Sequence, residues 1–509
     1  MKSGWARGLR PAVVWAALAA LYVGCSALVM TAAAPLPNEG WFFSPAVNLL
    51  RQGHIGTTNL VTRGTWMKGM ERRTYWVPPM HFLAQAAWYA VVGAGLMAMR
   101  ALSVAWGVVA LGAVYGIGVR LRLGRWAALL AVGLLALDFR WVITGSMGRM
   151  DMMCAALGLS GMAAYLALRE RNLAWAMAAG HALVCASCLT HAAGVVHGLA
   201  LVVVTVVMDG RRLSVKLVAV AAVPYVVGLA GWGVYIAQDY EGFLRQFRGN
   251  ISGLAGEAGK AGRFSGLTQP WVALKEEVNS RYFSQFGEWG GGKLFGSLQM
   301  YVLGLYAAAI VTACWGKRLR GQAGGRALLG AAASVFCTMW LLDGSKTSAY
   351  LPHVLPWLLL LAAFGLRRLA GGQWGLMAAV VAVAVLGQAA AFVGFHQKDA
   401  LGTQTKAVVR YLESQVKAGE VVNGGAEYQF FTERVRFVDD PRLGLMTGVR
   451  PAWVVMSGWY ETWQGTMRKR DKKLDAHVRA VLERGAREVF HAGKIKVLRV
   501  DRVGKGAAK

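Results

Sequence analysis

The sequence predicts a polytopic α-helical membrane protein of about eleven spans that ends in a small mixed α/β domain. Three observations predict it. Of 509 residues, 56% are hydrophobic and only 16% charged. Apolar runs such as "PAVVWAALAALYVGCSALVMTAAA" (11–34), "LAWAMAAGHALVCASCLT" (173–190), "LVAVAAVPYVVGLAGWGVYIA" (217–237) and "WGLMAAVVAVAVLGQAAAFVGF" (374–395) approach or exceed the roughly 20 residues a helix needs to cross hydrocarbon. They are apolar all round, whereas a surface helix of a soluble domain keeps a polar face. Finally, the composition changes abruptly near residue 395.

The elements follow in order. The first span covers about 11–33. Its end, "TAAAP", imitates a signal-peptide cleavage site, but the run exceeds the 7–15 residues of a signal core, so an uncleaved helix is expected. Further spans are expected at about 100–119, 126–144, 151–168, 173–190, 192–208, 215–237, 297–315, 327–342, 350–366 and 374–394. This register places every basic cluster on one side: "KSGWARGLR" (2–10), "RLRLGR" (120–125), "RERN" (169–172), "DGRRLSVK" (209–216), "GKRLRGQAGGR" (316–326) and "RR" (367–368). Short cytoplasmic loops rich in Lys and Arg set orientation. They account for the net charge of +29 without invoking nucleic acid as a partner. The run "PPMHFLAQAAWYAVVG" (78–93) is short, opens on two prolines and carries His81 and Gln85. It is read as an interfacial helix, since counting it as a span would invert all later clusters.

The protein is therefore expected in the cell (inner) membrane, multi-pass, with a cytoplasmic N-terminus. The loop 34–98, the turn 145–150, the long loop 238–296 and the tail face outward. Residues 1–395 form the membrane domain and 396–509 an extracytoplasmic domain. In the tail, "TKAVVRYLESQV" (405–416) and "KKLDAHVRAVLERG" (472–485) read as helices, "PAWVVMSGWY" (451–460) and "EVFHAGKIKVLRV" (488–500) as strands. "RKRDKK" (468–473) reads as a solvated helix start. The six Cys residues fall in apolar runs and read as small buried hydrophobes, the CxxC spacing at 185–188 included.

Acids gather at the outer rim rather than inside the spans, where pumps and proton-coupled carriers usually need them. Glu39 follows the first span in "PLPNEGWFF", and Asp151 with Arg149 opens a later one in "GSMGRMDMMCAALGL". Both follow outward-going spans, so topology brings them to one face. A carboxylate beside a hydroxyl acceptor can act as general base, and arginine's planar fork suits a phosphate. The first outer loop supplies Arg63, Lys68, Arg72 and Arg73 among aromatics. The plain readings stand beside these. Glu39 could be a helix-capping acid, Arg149–Asp151 a helix-end pair, Arg72–Arg73 a headgroup anchor, and His81, His181, His191 and His197 packed side chains.

The order "NEGWFFSPAVNLLRQGHI" (38–55), "YWVPPMHFLAQAAWYAVVG" (75–93) and "GRMDMMCAALGLSGMAAYLAL" (148–168) resembles the membrane-embedded glycosyltransferases of the GT-C fold. The protein O-mannosyltransferases and the bacterial aminoarabinose lipid A transferases are the groups it looks most like. The family's first-loop Asp-Glu pair corresponds to Asn38-Glu39, its Pro-Pro motif to Pro78-Pro79, and its Arg-x-Asp to Arg149-x-Asp151. "SKTSAYLPHVLPWLLLLAA" (345–363) looks like the family's Lys and Tyr before a Pro-bearing span, here Lys346 and Tyr350. The similarity covers roughly 10–395.

The resemblance implies inverting transfer of a sugar from a polyprenyl-phosphate donor to an extracytoplasmic hydroxyl or phosphate on lipid A, a surface glycan or a protein. It implies Glu39, Asn38 and Asp151 as catalytic candidates. Arg149, Arg72, Arg73, Lys68, Lys346 and Tyr350 would serve the donor phosphate or substrate. Two departures stand out: Asn38 where the family has Asp, and Val77 where lipid A transferases have Lys. Three readings follow: Glu39 is the base, Asp151 takes that role, or the chain is an inactive assembly partner. A transporter or flippase of lipid-linked sugar is a further alternative. No cofactor is required by the sequence. A divalent cation is compatible with a phosphate plus one or two acids, with its ligands unassigned.

Overall fold

A computed structural model describes residues 10–256, 265–283, 292–344, 346–369 and 373–501. The basic segment 1–9 and the stretches 257–264 and 284–291 of the long loop 238–296 lie outside the described residues.

The chain is mainly helical. In order come α1 (Pro11–Ala32), α2 (Pro37–Gln52), α3 (Met80–Val92), α4 (Leu96–Arg120), α5 (Arg125–Leu137), α6 (Phe139–Gly145), α7 (Met150–Leu168), α8 (Leu173–Thr190), α9 (Val195–Asp209) and α10 (Val215–Ala237). After them follow α11 (Tyr240–Gly256), α12 (Ser265–Thr268), α13 (Pro270–Glu276), α14 (Gly292–Trp315), α15 (Lys317–Gly321), α16 (Ala323–Leu342), α17 (Leu351–Leu369) and α18 (Trp374–Lys398). Each of the eleven expected spans coincides with a helix or helix pair. Among the described residues, eight are long and apolar enough to cross a membrane, or nine if the bent pair α5–α6 is one span. The chain is a multi-pass membrane protein.

The bend of 66° between α5 and α6 has a local cause. Asp138 sits in extended conformation between them and accepts the N–H groups of Arg140 and Trp141 as the cap of α6. Its other oxygen binds the Arg140 guanidinium at 2.9 Å. The expected single helix 126–144 is therefore two, because an acid inside the apolar run offers the backbone a capping partner.

The basic turns gather at one end of the bundle. Gly324 packs on the Leu121 carbonyl, while the Arg367 and Arg368 guanidinia reach Gly124 and Gly316. There Asp209 ties Arg169 and Arg212. Helices α4 and α7 run from that end to the opposite one, where Arg100 and Asp151 lie. Close helix contact uses glycine: at Gly365 of α17 an added Cβ would stand 1.8 Å from the Ala309 carbonyl oxygen of α14.

The stretch 34–98, read as a loop, holds two helices. Pro37 opens α2 at a position where its missing N–H is not needed, and Gly53 closes it in the left-handed region at φ 72°. Pro45 is accommodated inside it. The short α3 lies where an interfacial helix was expected and is not among the helices long enough to span.

After α18 come α19 (Lys406–Gln415), β1 (Val421–Asn423), β2 (Arg436–Val438), β3 (Trp453–Met456), α20 (Gly458–Arg468), α21 (Lys472–Leu482), β4 (Ala486–Ala492) and β5 (Ile495–Val500). The sheet order is β2-β1-β3-β5-β4. Strand β1 is parallel to β2 and β3, whereas β5 runs antiparallel to both β3 and β4. The expected last strand 488–500 is thus a hairpin, turned at Gly493 with φ 60°, and the expected strand 451–460 stops at Met456 where Ser457 caps α20. A turn at 426–430 from this domain packs on α2, with Ala426 against Gly40, and Leu60 bridges to Asp439.

Candidate active site

The site is built where α2, α3 and the sheet domain meet the starts of α4 and α7. Glu39 lies in the first turn of α2 and is fully buried. Its carboxylate is saturated. Arg100 clamps it with two bonds of 2.9 Å, Gly148 N–H donates at 2.7 Å and Leu36 N–H at 2.8 Å. Burial alone would raise the pKa, but the Arg100 charge and these four bonds outweigh it and hold the carboxyl below the usual range. Arg100 also binds the Met30 and Ala33 carbonyls at 2.7 and 2.9 Å. Glu39 therefore joins the end of α1, the start of α4 and the turn before α7. This geometry is that of an anchor and gives the base reading of Glu39 no free lone pair.

Through Gly148, Glu39 comes to the same end of the bundle as Asp151, as topology predicted. Asp151, in the first turn of α7, is buried. One oxygen accepts from Arg149 Nε at 2.8 Å, while Oδ1 is buried without a partner among the described residues. Arg149, 13% exposed, stands over the Phe42 ring at 5.7 Å. Asn38 is half-buried and its Oδ1 is likewise unpartnered.

Helix α3 turns one polar face into this region. His81, Gln85 and Tyr89 follow at four-residue spacing, so they share a face. All are buried, and among the described residues both His81 nitrogens, both Gln85 amide atoms and the Tyr89 hydroxyl lack partners. His81 lies within electrostatic reach of Asp151, Arg149 and His191, and burial pulls its pKa down to about 3. Unpartnered buried polar groups cost folding energy and, where they cluster, mark a place kept for a polar ligand.

Behind Asp151 stand His191, at the end of α8, and His353 in α17. Ligand atoms of the three residues lie within 4.8 Å of one another. His353 Nδ1 pairs with His197 Nε2 at 3.0 Å, and its Nε2 is unpartnered. Tyr350 hydroxyl lies 3.5 Å from His191 Nε2, and its ring lies 5.9 Å from the Arg281 guanidinium.

The expected phosphate ligands divide. Arg149 and Tyr350 belong to this cluster. Lys346 does not offer a free ammonium. It is buried, bound to Glu277 at 3.1 Å and to the Met339 and Trp340 carbonyls at 3.1 and 2.5 Å. Burial lowers its pKa, partly offset by Glu277. Glu277 in turn chelates Arg281, which also holds Asp343 at 2.6 Å. Lys68 and Arg72 are exposed. Arg73 bonds Gln238 and stacks 5.6 Å over Tyr235.

Sequence reasoning passed over Arg100, Arg281 and His353. For Arg100 and His353 a lone cation or imidazole inside an apolar run was the available signal; Arg281, in the polar stretch 275–285, carried none.

The sheet domain adds buried acids beside α2. Asp439 accepts from Trp41 Nε1 at 2.8 Å and Ala426 N–H at 3.1 Å. Burial pushes it up to about 7. Burial and the nearby Asp439 charge raise Glu427 well above its usual value.

No protein-family profile matches this sequence, and no curated protein sequence does. Solved structures do. ArnT from Cupriavidus metallidurans in the apo state matches at TM-score 0.60 and 16% identity, over 96% of this chain and 97% of that one. Its complex with undecaprenyl phosphate matches at 0.58 and 15%, over 98% of each. The Archaeoglobus fulgidus oligosaccharyltransferase with Zn and sulfate matches at 0.53 and 12%, over 92% of this chain and 69% of that one. Both are of the GT-C fold.

Proposed function

From the GT-C fold that this chain has, we propose that it is a glycosyltransferase that moves a sugar from a polyprenyl-phosphate donor to an acceptor on the outer face of the inner membrane. The observation that carries this reading is Asp151 Oδ1, a buried carboxylate oxygen without a partner among the described residues, beside Arg149 and within electrostatic reach of His81. A structural neighbour holding undecaprenyl phosphate supports the donor class, and the basic turns at the opposite end support the orientation.

The acceptor hydroxyl oxygen attacks the sugar's anomeric carbon as the bond from that carbon to the phosphate oxygen breaks. Polyprenyl phosphate leaves with the electron pair, and the acceptor's proton passes to Asp151. Of the two acids, Asp151 fits this role because its free oxygen can receive a hydrogen bond, whereas Glu39 has none to spare and instead positions Gly148 and the start of α7. Arg149 uses Nε on Asp151 and keeps its two terminal nitrogens for the donor phosphate. Asn38, Tyr350 and the α3 face line the sugar and acceptor. Lys68, Arg72 and Arg73 meet lipid headgroups at the rim. A divalent cation would be held by Asp151, His191 and His353 and would supply Lewis-acid polarisation there. Lipid A, a surface glycan and a protein hydroxyl are all acceptors this chemistry admits.

The test follows the lipid product, which forms whatever the acceptor. Membranes containing the protein, given a panel of labelled polyprenyl-phosphate pentoses and hexoses, are expected to release free polyprenyl phosphate. Asp151→Asn should slow release by about 10²–10⁴-fold. Translocation of intact donor in vesicles without release would favour a transporter. Release appearing only after Asn38→Asp would favour a degenerate assembly partner.

A further inference from the structure

We propose that Asp151, His191 and His353 form a mononuclear site for a borderline divalent ion of the Zn²⁺ class. Metal binding here stands apart from the transferase reading and is measured without turnover. Three features carry it. Ligand atoms of one carboxylate and two imidazoles lie within 4.8 Å of one another, on α7, the end of α8 and α17. Two donors are buried and unengaged: Asp151 Oδ1 and His353 Nε2 have no partner among the described residues, and both residues have zero exposure. Each is also oriented by a second group, as metal ligands usually are. Arg149 Nε holds the other Asp151 oxygen at 2.8 Å. His197 Nε2 lies 3.0 Å from His353 Nδ1; with the His353 Nδ1–H as donor in that bond, His353 Nε2 keeps its lone pair for the ion.

His191 has prior ties. Its Nδ1 accepts the Ala193 N–H at 3.1 Å and its Nε2 lies 3.5 Å from the Tyr350 hydroxyl, so an ion bound through either nitrogen replaces one of these neutral contacts. The nitrogen-rich set decides the class of metal. Mg²⁺ and Ca²⁺ take oxygen ligands, whereas imidazole with one carboxylate suits Zn²⁺ and its neighbours in the transition series. Three protein ligands leave a coordination position open. A carboxylate has about four lone-pair sites, so Asp151 can hold Arg149 and the ion and still meet an acceptor hydroxyl.

The experiment uses the full chain purified in detergent, stripped with chelator and titrated with Co²⁺ and Zn²⁺. We expect one ion per chain by elemental analysis and a visible Co²⁺ ligand-field band that Zn²⁺ bleaches and excess Mg²⁺ does not. His353→Gln should abolish the band. His197→Ala, which touches no ligand position and acts only through His353, should weaken Co²⁺ affinity roughly 10–100-fold. Wild-type protein that takes up no Co²⁺ overturns the proposal, and needs no variant to fold. Binding of equal affinity in His353→Gln also overturns it, because the ion then sits elsewhere. Loss of sugar transfer with Co²⁺ binding intact would count against the transferase reading alone.

Discussion

Replacing Glu39 by Gln, Arg100 by Met, and both together separates an anchor from a reacting acid. Both side chains have zero exposure. Glu39→Gln removes the charge opposite Arg100 and one of the oxygens that receive Arg100, Gly148 N–H and Leu36 N–H. Arg100→Met strands the carboxylate and frees the Met30 and Ala33 carbonyls. Removing one partner of a buried pair costs about 3–5 kcal/mol, because the other charge stays buried and uncompensated. Removing both charges costs less than the sum, with a coupling of up to about 3 kcal/mol for groups in direct contact. The assay is a double-mutant cycle on reversible unfolding in mixed detergent micelles, run beside donor-release rates. Asp151→Asn serves as the contrast: activity should fall sharply, while the stability cost should be smaller than for Glu39→Gln, because Asp151 loses one charged bond, from Arg149 Nε at 2.8 Å, and that guanidinium is 13% exposed. The reasoning is refuted if Glu39→Gln keeps wild-type stability yet abolishes release, since Glu39 would then act on substrate rather than on the fold.

Two further outcomes test the packing and the sheet domain. Gly365→Ala should destabilise by about 1–3 kcal/mol, because its Cβ would meet backbone at Ala309, whereas Gly304→Ala, with open space around it, should be neutral or stabilising by up to about 1 kcal/mol; thermal unfolding of the two variants checks the contrast. Asp439 has a folded pKa of about 7 against 3.8, and a raised acid contributes stability fully present below its unfolded pKa and lost as pH rises through the folded one. The sheet domain should therefore loosen from α2 between about pH 4 and pH 7, by at most about 4 kcal/mol. Hydrogen exchange at 426–440 reads this, and Asp439→Asn should flatten the profile.

Helix positions were legible because apolar length is written directly in composition. The helical character of 37–52 was not, because Pro37, Gly40 and Pro45 read as breakers. Tertiary packing decides that case: Trp41, Phe42 and Phe43 contact Trp76, Trp463, Tyr89 and Phe430. The break at Asp138 and the hairpin at Gly493 each turn on one residue whose local role depends on backbone geometry. Asp151 and Arg149 were found from spacing. The partner that occupies Glu39 was not, since Arg100 lies 61 positions away and sequence alone pairs no such distant charges.

Charge balance then explains why the histidines matter. Glu39 and Arg100 cancel, and Arg149 cancels Asp151. Asn38 contributes no charge where the resembled family carries an acid. His81 stays neutral at ordinary pH because burial holds its pKa near 3. The cluster as built is therefore close to neutral, and a buried neutral cluster is a poor home for an anionic phosphate unless a cation comes with it. A dication on Asp151, His191 and His353 would supply that charge without a second acid. Restoring the family's acid by Asn38→Asp should accordingly tighten Co²⁺ binding if Asn38 faces the same ion, and leave it unchanged if Asn38 serves only the sugar.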